Sequence, residues 1–350
     1  MPIVSQANHK SHQVIDTGSA CNILVWIPYW DQSSAFQSYI DNKEIINYVA
    51  FFWYTLDERG EIKKYSMADE DINLVRQAKK NGAKVLAIIT NLPDDEVEDA
   101  LDWDPKRLES ILFNEKKRHS HIRQLVKLVK DSEFDGLDID YENLPRSYKD
   151  KFTLFVRELS DALHEEELIL AVAIHPKTSD RNPRENNGSW AQDWQELAKY
   201  ADQLHMMTYG EHYPSSRPGP IASPQWVERV LKYAQRNKGI PNQKIFVGIP
   251  FYAEIWMHRK WGGYSGLNIN LTYSDIMRLK SKYDGVEGWD KTHTSPFLKF
   301  TDNEKKSYTA WFENRESLKE KIDLIAGLGI CNYAIWRVGG ESKDFWPLFK

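Results

Sequence analysis

The sequence predicts an α/β protein: a (β/α)8 barrel, the TIM-barrel architecture, with a small α+β insertion between its seventh and eighth strands. Three observations carry this. Eight short apolar runs punctuate the 350 residues, and amphipathic stretches of helical period separate most of them, the pattern of repeated βα units. One of the runs, 136–141, carries acids at alternate positions, as a strand does when its two faces have different tasks. A hydrophobic content of 41% supplies the core of one large barrel, although length alone would also suit two domains.

The strand-like runs are 23–28, 48–54, 84–90, 136–141, 168–174, 204–209, 245–250 and 330–336. Helical patterns lie between them at 69–81, 105–131, 147–163, 191–200, 224–237 and 316–327. The Asp69-Glu70-Asp71 opening of the first pattern suits a helix N-terminus, and Gly82 suits its end. The unit after the seventh strand is too long for one helix. It contains a helical stretch at 273–283 and two short strands at 297–301 and 307–312, so residues 257–315 read as an α+β insertion. Residues 1–21 read as a polar N-terminal arm, and 22–350 as the barrel with its insertion.

The net charge of −5 provides no electrostatic footprint for nucleic acid, and basic runs such as Lys116-Lys117-Arg118 lie among acids on a helix, where they form a solvated face. No stretch of 18 apolar residues exists, so no membrane span is expected. Residues 1–20 lack the apolar segment of a secretory signal; the expectation is a protein that is cytoplasmic or exported by another route, or secreted if a signal has been removed. His119 and His121 are two apart on a helix and do not share a face, and no Cys/His spacing suggests zinc. No metal and no cofactor is expected, and a monomer is. His205, four residues before Tyr209 on one strand face, reads as a core histidine. Cys21 precedes the first strand and Cys331 opens the eighth, neighbours in a closed barrel. A bridge is one reading, but counting along the strands leaves the pair out of register, and bonding geometry is strict. Two free buried thiols are the expectation.

The acids are the most informative feature. Asp138, Asp140 and Glu142 share one face of a strand rising ~3.3 Å per residue, while Leu137, Ile139 and Tyr141 form the face that packs on helices. A solvated strand edge and a calcium loop are the bland readings; the apolar alternation argues against a loop. Crowded, half-buried carboxylates cannot all ionise, so one keeps a proton near neutral pH and can protonate a leaving group. In a barrel, such groups work from the C-terminal strand ends, where Glu142 sits. Tyr29 or Trp30, Trp53, Tyr209, Tyr252 and Trp336 end other strands and offer flat faces for sugar rings.

Asp135-x-x-Asp138-x-Asp140-x-Glu142 resembles the signature of the family 18 glycoside hydrolases, the chitinase family. Further matches follow in order: Val25-Trp26-Ile27-Pro28-Tyr29-Trp30, Phe52-Trp53-Tyr54, Met207-Thr208-Tyr209 with Glu211-His212-Tyr213, Gly248-Ile249-Pro250-Phe251-Tyr252, and Ile335-Trp336-Arg337. The resemblance covers residues 22–346 and is closest to the bacterial branch with spore and cell-wall N-acetylglucosaminidases. It implies cleavage of β-1,4 linkages next to N-acetylglucosamine, in chitin oligomers, peptidoglycan or N-glycan cores, by a retaining, substrate-assisted mechanism. Glu142 would be the acid. Asp140 would hold the acetamido N–H, Asp138 would share a proton with Asp140, and Tyr209 would bond the acetamido oxygen. Tyr29, Trp53, Met207, Tyr252 and Trp336 would bind substrate, with Trp336 as the cleft floor. Asp135, on the opposite strand parity, reads as structural.

Two departures stand out. The family usually has Asp after the sixth-strand Tyr, where this chain has Gly210; Glu211 could replace it only if the strand runs on past Gly210. Residues 88–91, Ile-Ile-Thr-Asn, lack the Ser-x-Gly-Gly of typical chitinases. The competing reading is a non-catalytic carbohydrate-binding protein on the same barrel, a fate usually accompanied by loss of the acid that is retained here as Glu142. A purely partner-binding protein has no positive feature behind it.

Overall fold

Eight parallel strands close a barrel in the computed structural model, which describes residues 21–94, 102–181 and 188–350, without the side chains of 268–270. They are β1 (Asn22–Pro28), β2 (Tyr48–Leu56), β4 (Lys84–Thr90), β5 (Gly136–Asp140), β6 (Ile169–Ile174), β7 (Gln203–Met206), β8 (Ile245–Pro250) and β14 (Asn332–Trp336). Each pairs in parallel with the next, and β14 meets β1 to complete the (β/α)8 TIM barrel. A short β3 (Ile62–Lys64) lies antiparallel on the end of β2. The expected N-terminal arm lies almost wholly outside the described residues.

The helices around the barrel are α1 (Gln32–Asn42), α2 (Ile72–Lys80), α3 (Lys106–Phe113), α4 (Glu115–Asp131), α5 (Lys149–His164), α6 (Trp194–Tyr200), α7 (Pro224–Lys232) and α9 (Arg315–Gly327). α1 was not legible as a helix: its sequence is rich in serine, a middling helix former, and only Ala35, Phe36 and Tyr39 mark its buried side. The pattern read as one helix over 105–131 is two. Asn114 adopts extended backbone between them, and its side chain caps α4 by accepting from the Lys117 N–H. Among the described residues no helix is long and apolar enough to cross a membrane.

Between β8 and β14 lies a five-stranded antiparallel sheet in the order β10-β9-β13-β12-β11, formed by β9 (Tyr252–His258), β10 (Tyr264–Thr272), β11 (Val286–Asp290), β12 (Ser295–Thr301) and β13 (Ser307–Trp311). α8 (Tyr273–Lys282) covers one face, and Ala253, Ile255, Ile276, Leu298, Phe300 and Ala310 form a small core there. The insertion starts at Tyr252, earlier than 257, because β9 follows β8 with only Phe251 between.

The expectation of two free thiols is overturned: Cys21 and Cys331 form a disulfide, their Cα atoms 4.6 Å apart. β14 begins at Asn332, not at 330, and pairs with β1 in the register Asn22↔Asn332. The residues just before the two strands therefore lie side by side, and the Asn22 N–H donates to the Cys331 carbonyl at 3.1 Å. The bridge ties the first barrel strand to the last. Breaking it with Cys331→Ser should lower unfolding stability by about 2–4 kcal/mol, the usual range for a loop-closing disulfide. Denaturant titration checks this; an unchanged midpoint in the variant and in reduced wild type would show that the sulfurs are not bonded.

Candidate active site

β5 carries the acids because its alternation divides the strand between two environments. On the outward face Leu137, Ile139 and Tyr141 are buried against the helices. Tyr141 is anchored there by a 2.8 Å hydrogen bond between its hydroxyl and His121 Nε2. Burial lowers the His121 pKa to about 3, so this ring is a neutral structural partner. Asp135, just before β5, accepts from the Val85 N–H at 2.9 Å and pairs with Lys79 and Lys84. It serves the closed end of the barrel.

Asp138 points into the barrel and is fully buried. Its Oδ2 accepts from Trp26 Nε1 at 2.8 Å and lies 2.9 Å from His205 Nδ1. His205 is itself braced by Gln203 at 2.9 Å. Room for this arrangement comes from β6, where Ala171 stands in register with Asp138 and shares its face. Among the described residues, Asp138 Oδ1 has no hydrogen-bond partner. Asp140 hydrogen-bonds Glu142.

That pair is the electrostatic centre of the site. Burial, followed by the charges of Glu142 and Asp138, holds the Asp140 carboxyl well above the usual carboxylate range. Burial also pushes Glu142 up to about 8, with Asp102 adding to the rise and the Asp140 hydrogen bond opposing it. Two interacting carboxyls titrate as a unit, and near neutral pH this unit keeps a proton. The Glu142 side chain is 13% exposed, enough to reach a molecule in the barrel mouth. Its backbone is clamped from β4: Asn91 Oδ1 accepts from the Glu142 N–H at 2.8 Å and Asn91 Nδ2 donates to the Glu142 carbonyl at 3.1 Å. From β6, His175 Nε2 lies 3.2 Å from Glu142 Oε2.

Tyr209 stands across the mouth. Gly248 permits this, since a Cβ there would lie 2.8 Å from the Tyr209 ring and 2.6 Å from the Met206 carbonyl. Burial, then Tyr252, Asp140 and Glu142, raises the Tyr209 pKa well above its ordinary value, so the phenol remains a donor. Tyr252 meets Tyr209 edge-on at 5.8 Å. Met207 follows β7 directly, buried, its N–H bonded to the Ile174 carbonyl at 3.0 Å. Trp336 is half-buried between Trp26, Trp30 and Phe52, with ring centroids 5.9–6.1 Å away. Tyr29 stacks on Tyr65 at 4.8 Å and meets Trp30 at 5.0 Å.

Trp53 does not join this group. It is 0% exposed, stacks on Phe51 at 4.3 Å and meets Phe134, between barrel and helices. Phe52 takes the inward position, and strand alternation then turns Trp53 outward. Glu211 does not take the place of the missing Asp either. β7 ends at Met206, the Thr208 and Tyr209 N–H groups turn back to Met206 and Met207, and Glu211 accepts from the Ser223 N–H at 2.7 Å. Gly210 has φ +79° with open space around it, so an Asp there would have room but a backbone that side chains disfavour. His205 is the buried core histidine that the sequence suggested; of the residues given no role there, Trp26 shares strand parity with the barrel interior, and Asn91 and His175 each directly follow a barrel strand. Those positions were the available signal.

A sequence model described as "Glycosyl hydrolases family 18" matches residues 22–341. An uncharacterized glycosylase, YvbX, of Bacillus subtilis is 25% identical over 305 residues, covering 87% of this chain and 84% of that protein. The cortical fragment-lytic enzyme of the same organism is 24% identical over 305 residues, covering 87% and 67%. A crystal structure of a chitinase from Chromobacterium violaceum superposes with a TM-score of 0.82 at 23% identity, covering 94% of this chain and 98% of that one. The spore cortex-lytic enzyme SleL of Bacillus megaterium gives 0.79 at 22%, covering 95% and 74%. The family match runs through the barrel, the insertion and the row of acids alike, and the chain therefore belongs to glycosyl hydrolase family 18 and is a glycoside hydrolase.

Proposed function

We propose that the protein cleaves β-1,4 linkages next to N-acetylglucosamine with retention, using the substrate's own acetamido group as nucleophile. One observation carries this reading: Glu142, at the barrel mouth, is bonded to Asp140, and burial raises both carboxyls above the usual carboxylate range. A second protein carboxylate placed to attack an anomeric carbon is not needed in such a mechanism. Glu142 gives its proton to the glycosidic oxygen as the acetamido oxygen closes on the anomeric carbon. Asp140 turns from Glu142 to the acetamido N–H and stabilises the oxazolinium ion. Asp138, held by Trp26 and His205, lies beneath it. The Tyr209 hydroxyl donates to the acetamido oxygen. Water then opens the oxazolinium ion and returns a proton to Glu142. An internal nucleophile already in place can lower the barrier by about 7–11 kcal/mol. Trp336, Trp30 and Tyr29 supply apolar faces for sugar rings, and Tyr252 and Met207 flank Tyr209. The relatives named for chitin and for spore cortex favour chitin-like and peptidoglycan glycans as the substrate class.

A chromogenic N-acetylglucosamine oligomer tests the reading. Glu142→Gln should keep its fold and its oligosaccharide binding and lose at least ~10²–10⁴-fold in kcat, the usual contribution of a general acid; a near-wild-type rate would remove Glu142 from that role. Because the acid must be protonated, and burial raises its pKa, the rate should hold through neutrality and fall as pH rises through about 8. A profile rising across that range would make Glu142 a base in the limiting step. Cello-oligomers, which have the same linkage without the acetamido group, should be inert, and the first product of a cleaved oligomer should be the β-anomer. Comparable cleavage of cello-oligomers, or release of the α-anomer, would overturn the substrate-assisted mechanism.

A further inference from the structure

His175 stands beside the acid and has no part in the mechanism above. It follows β6 directly, on the inward parity of Ala171 and Ala173. Its position is fixed through its backbone: the His175 N–H donates to Gln192 Oε1 at 2.7 Å, and Gln192 Nε2 donates to the Ala173 carbonyl at 3.2 Å. His175 is 6% exposed, and its Nε2 comes within 3.2 Å of Glu142 Oε2, near enough to donate after a small turn of the ring, although the angle in this structure falls short of a hydrogen bond.

The groups around it define what the ring can be. Asp140 bonds Glu142 from β5. Asp102 approaches from the segment before α3 and accepts from Asn143 Nδ2 at 2.8 Å. Tyr209 faces Glu142 from the end of β7. Lys177, two residues along from His175, is engaged by the Gln192 carbonyl at 2.8 Å and by Asp180 at 3.0 Å. Burial lowers the His175 pKa to about 4, so across the working range the ring is neutral, with one N–H to give. A buried carboxyl that must become an anion during turnover gains most from a donor at hydrogen-bond distance.

We propose that His175 is a positioning residue for the acid: a small turn of its ring lets Nε2–H donate to Glu142 Oε2, which holds the carboxyl toward the cleft and stabilises the carboxylate left when the proton passes to the glycosidic oxygen. The proton goes from Glu142 to the leaving alcohol. The imidazole neither gains nor loses one, and water restores the Glu142 proton in the second half of the cycle. The proposal rests on Glu142 being the acid, but it makes a claim about the free protein that can be read without substrate.

The test follows the Glu142 carboxyl by ¹³C NMR in glutamate-labelled protein, with Glu142→Gln identifying the signal. His175→Leu fills the space but removes the donor, so the Glu142 midpoint should rise by about 1–2 pH units. His175→Gln, whose amide reaches the same point, should return it to within about half a unit of wild type. The basic limb of kcat/KM on the chromogenic oligomer should move with the midpoint, and kcat should fall in the Leu variant and recover in the Gln variant. An unchanged midpoint in folded His175→Leu would overturn the proposal, as would a Gln variant that behaves like Leu. If the Leu variant does not fold, His175→Asn, whose amide stops short, takes its place with the same expected rise. A shifted midpoint in a protein whose wild type cleaves no N-acetylglucosamine oligomer would instead overturn the proposed function and leave the Glu142–His175 interaction standing.

Discussion

Everything in the site depends on the cost of placing three carboxyl groups on the inner face of one barrel strand. A carboxylate taken from water needs donors or a proton. Asp138 receives an indole N–H and faces an imidazole nitrogen, both at one oxygen. Among the described residues, Asp140 Oδ1 finds no donor, and the carboxyl leans on Glu142. The result is a graded row, with the deepest acid anchored and the outer two sharing a proton. The raised pKa values of the outer two acids therefore come from burial first and from crowding second.

The rest of the barrel keeps that row in place. Tyr141 and His121 pin the outward face of the strand to α4, Asn91 clamps the Glu142 peptide, and Ala171 leaves space beside Asp138. Around the mouth, Trp26, Trp30, Phe52 and Trp336 form a continuous aromatic wall. The insertion adds Tyr252 from its first strand. Rigid strands carry the chemistry, and aromatic side chains at their ends provide the surface on which a sugar can lie.

The departures from the family pattern become physical statements. At Gly210 the chain turns with positive φ as soon as Tyr209 is placed, so no side chain extends from the position that follows Tyr209. Glu211 is committed to the backbone ahead of α7. A histidine directly after β6 comes within 3.2 Å of Glu142.

The barrel was legible in the sequence because burial imposes a local period. A strand packed on both faces reads as an apolar run, and a helix with one buried side repeats every three to four residues. The acids were legible for the same reason, since alternation alone puts Asp138, Asp140 and Glu142 on one face. What the sequence left open were relations between strands. Trp53 and Phe52 differ by one residue in a uniformly apolar run, and only the parity of β2 in the closed sheet decides which faces the mouth. Cys21 and Cys331 are 310 residues apart, and their meeting depends on the register that barrel closure imposes on β1 and β14. Asn91, His175 and His205 are ordinary residues at strand ends or in the interior. They acquire a role only when neighbouring strands carry them to Asp138 and Glu142, because hydrogen bonds form between atoms near in space, whatever their distance along the chain.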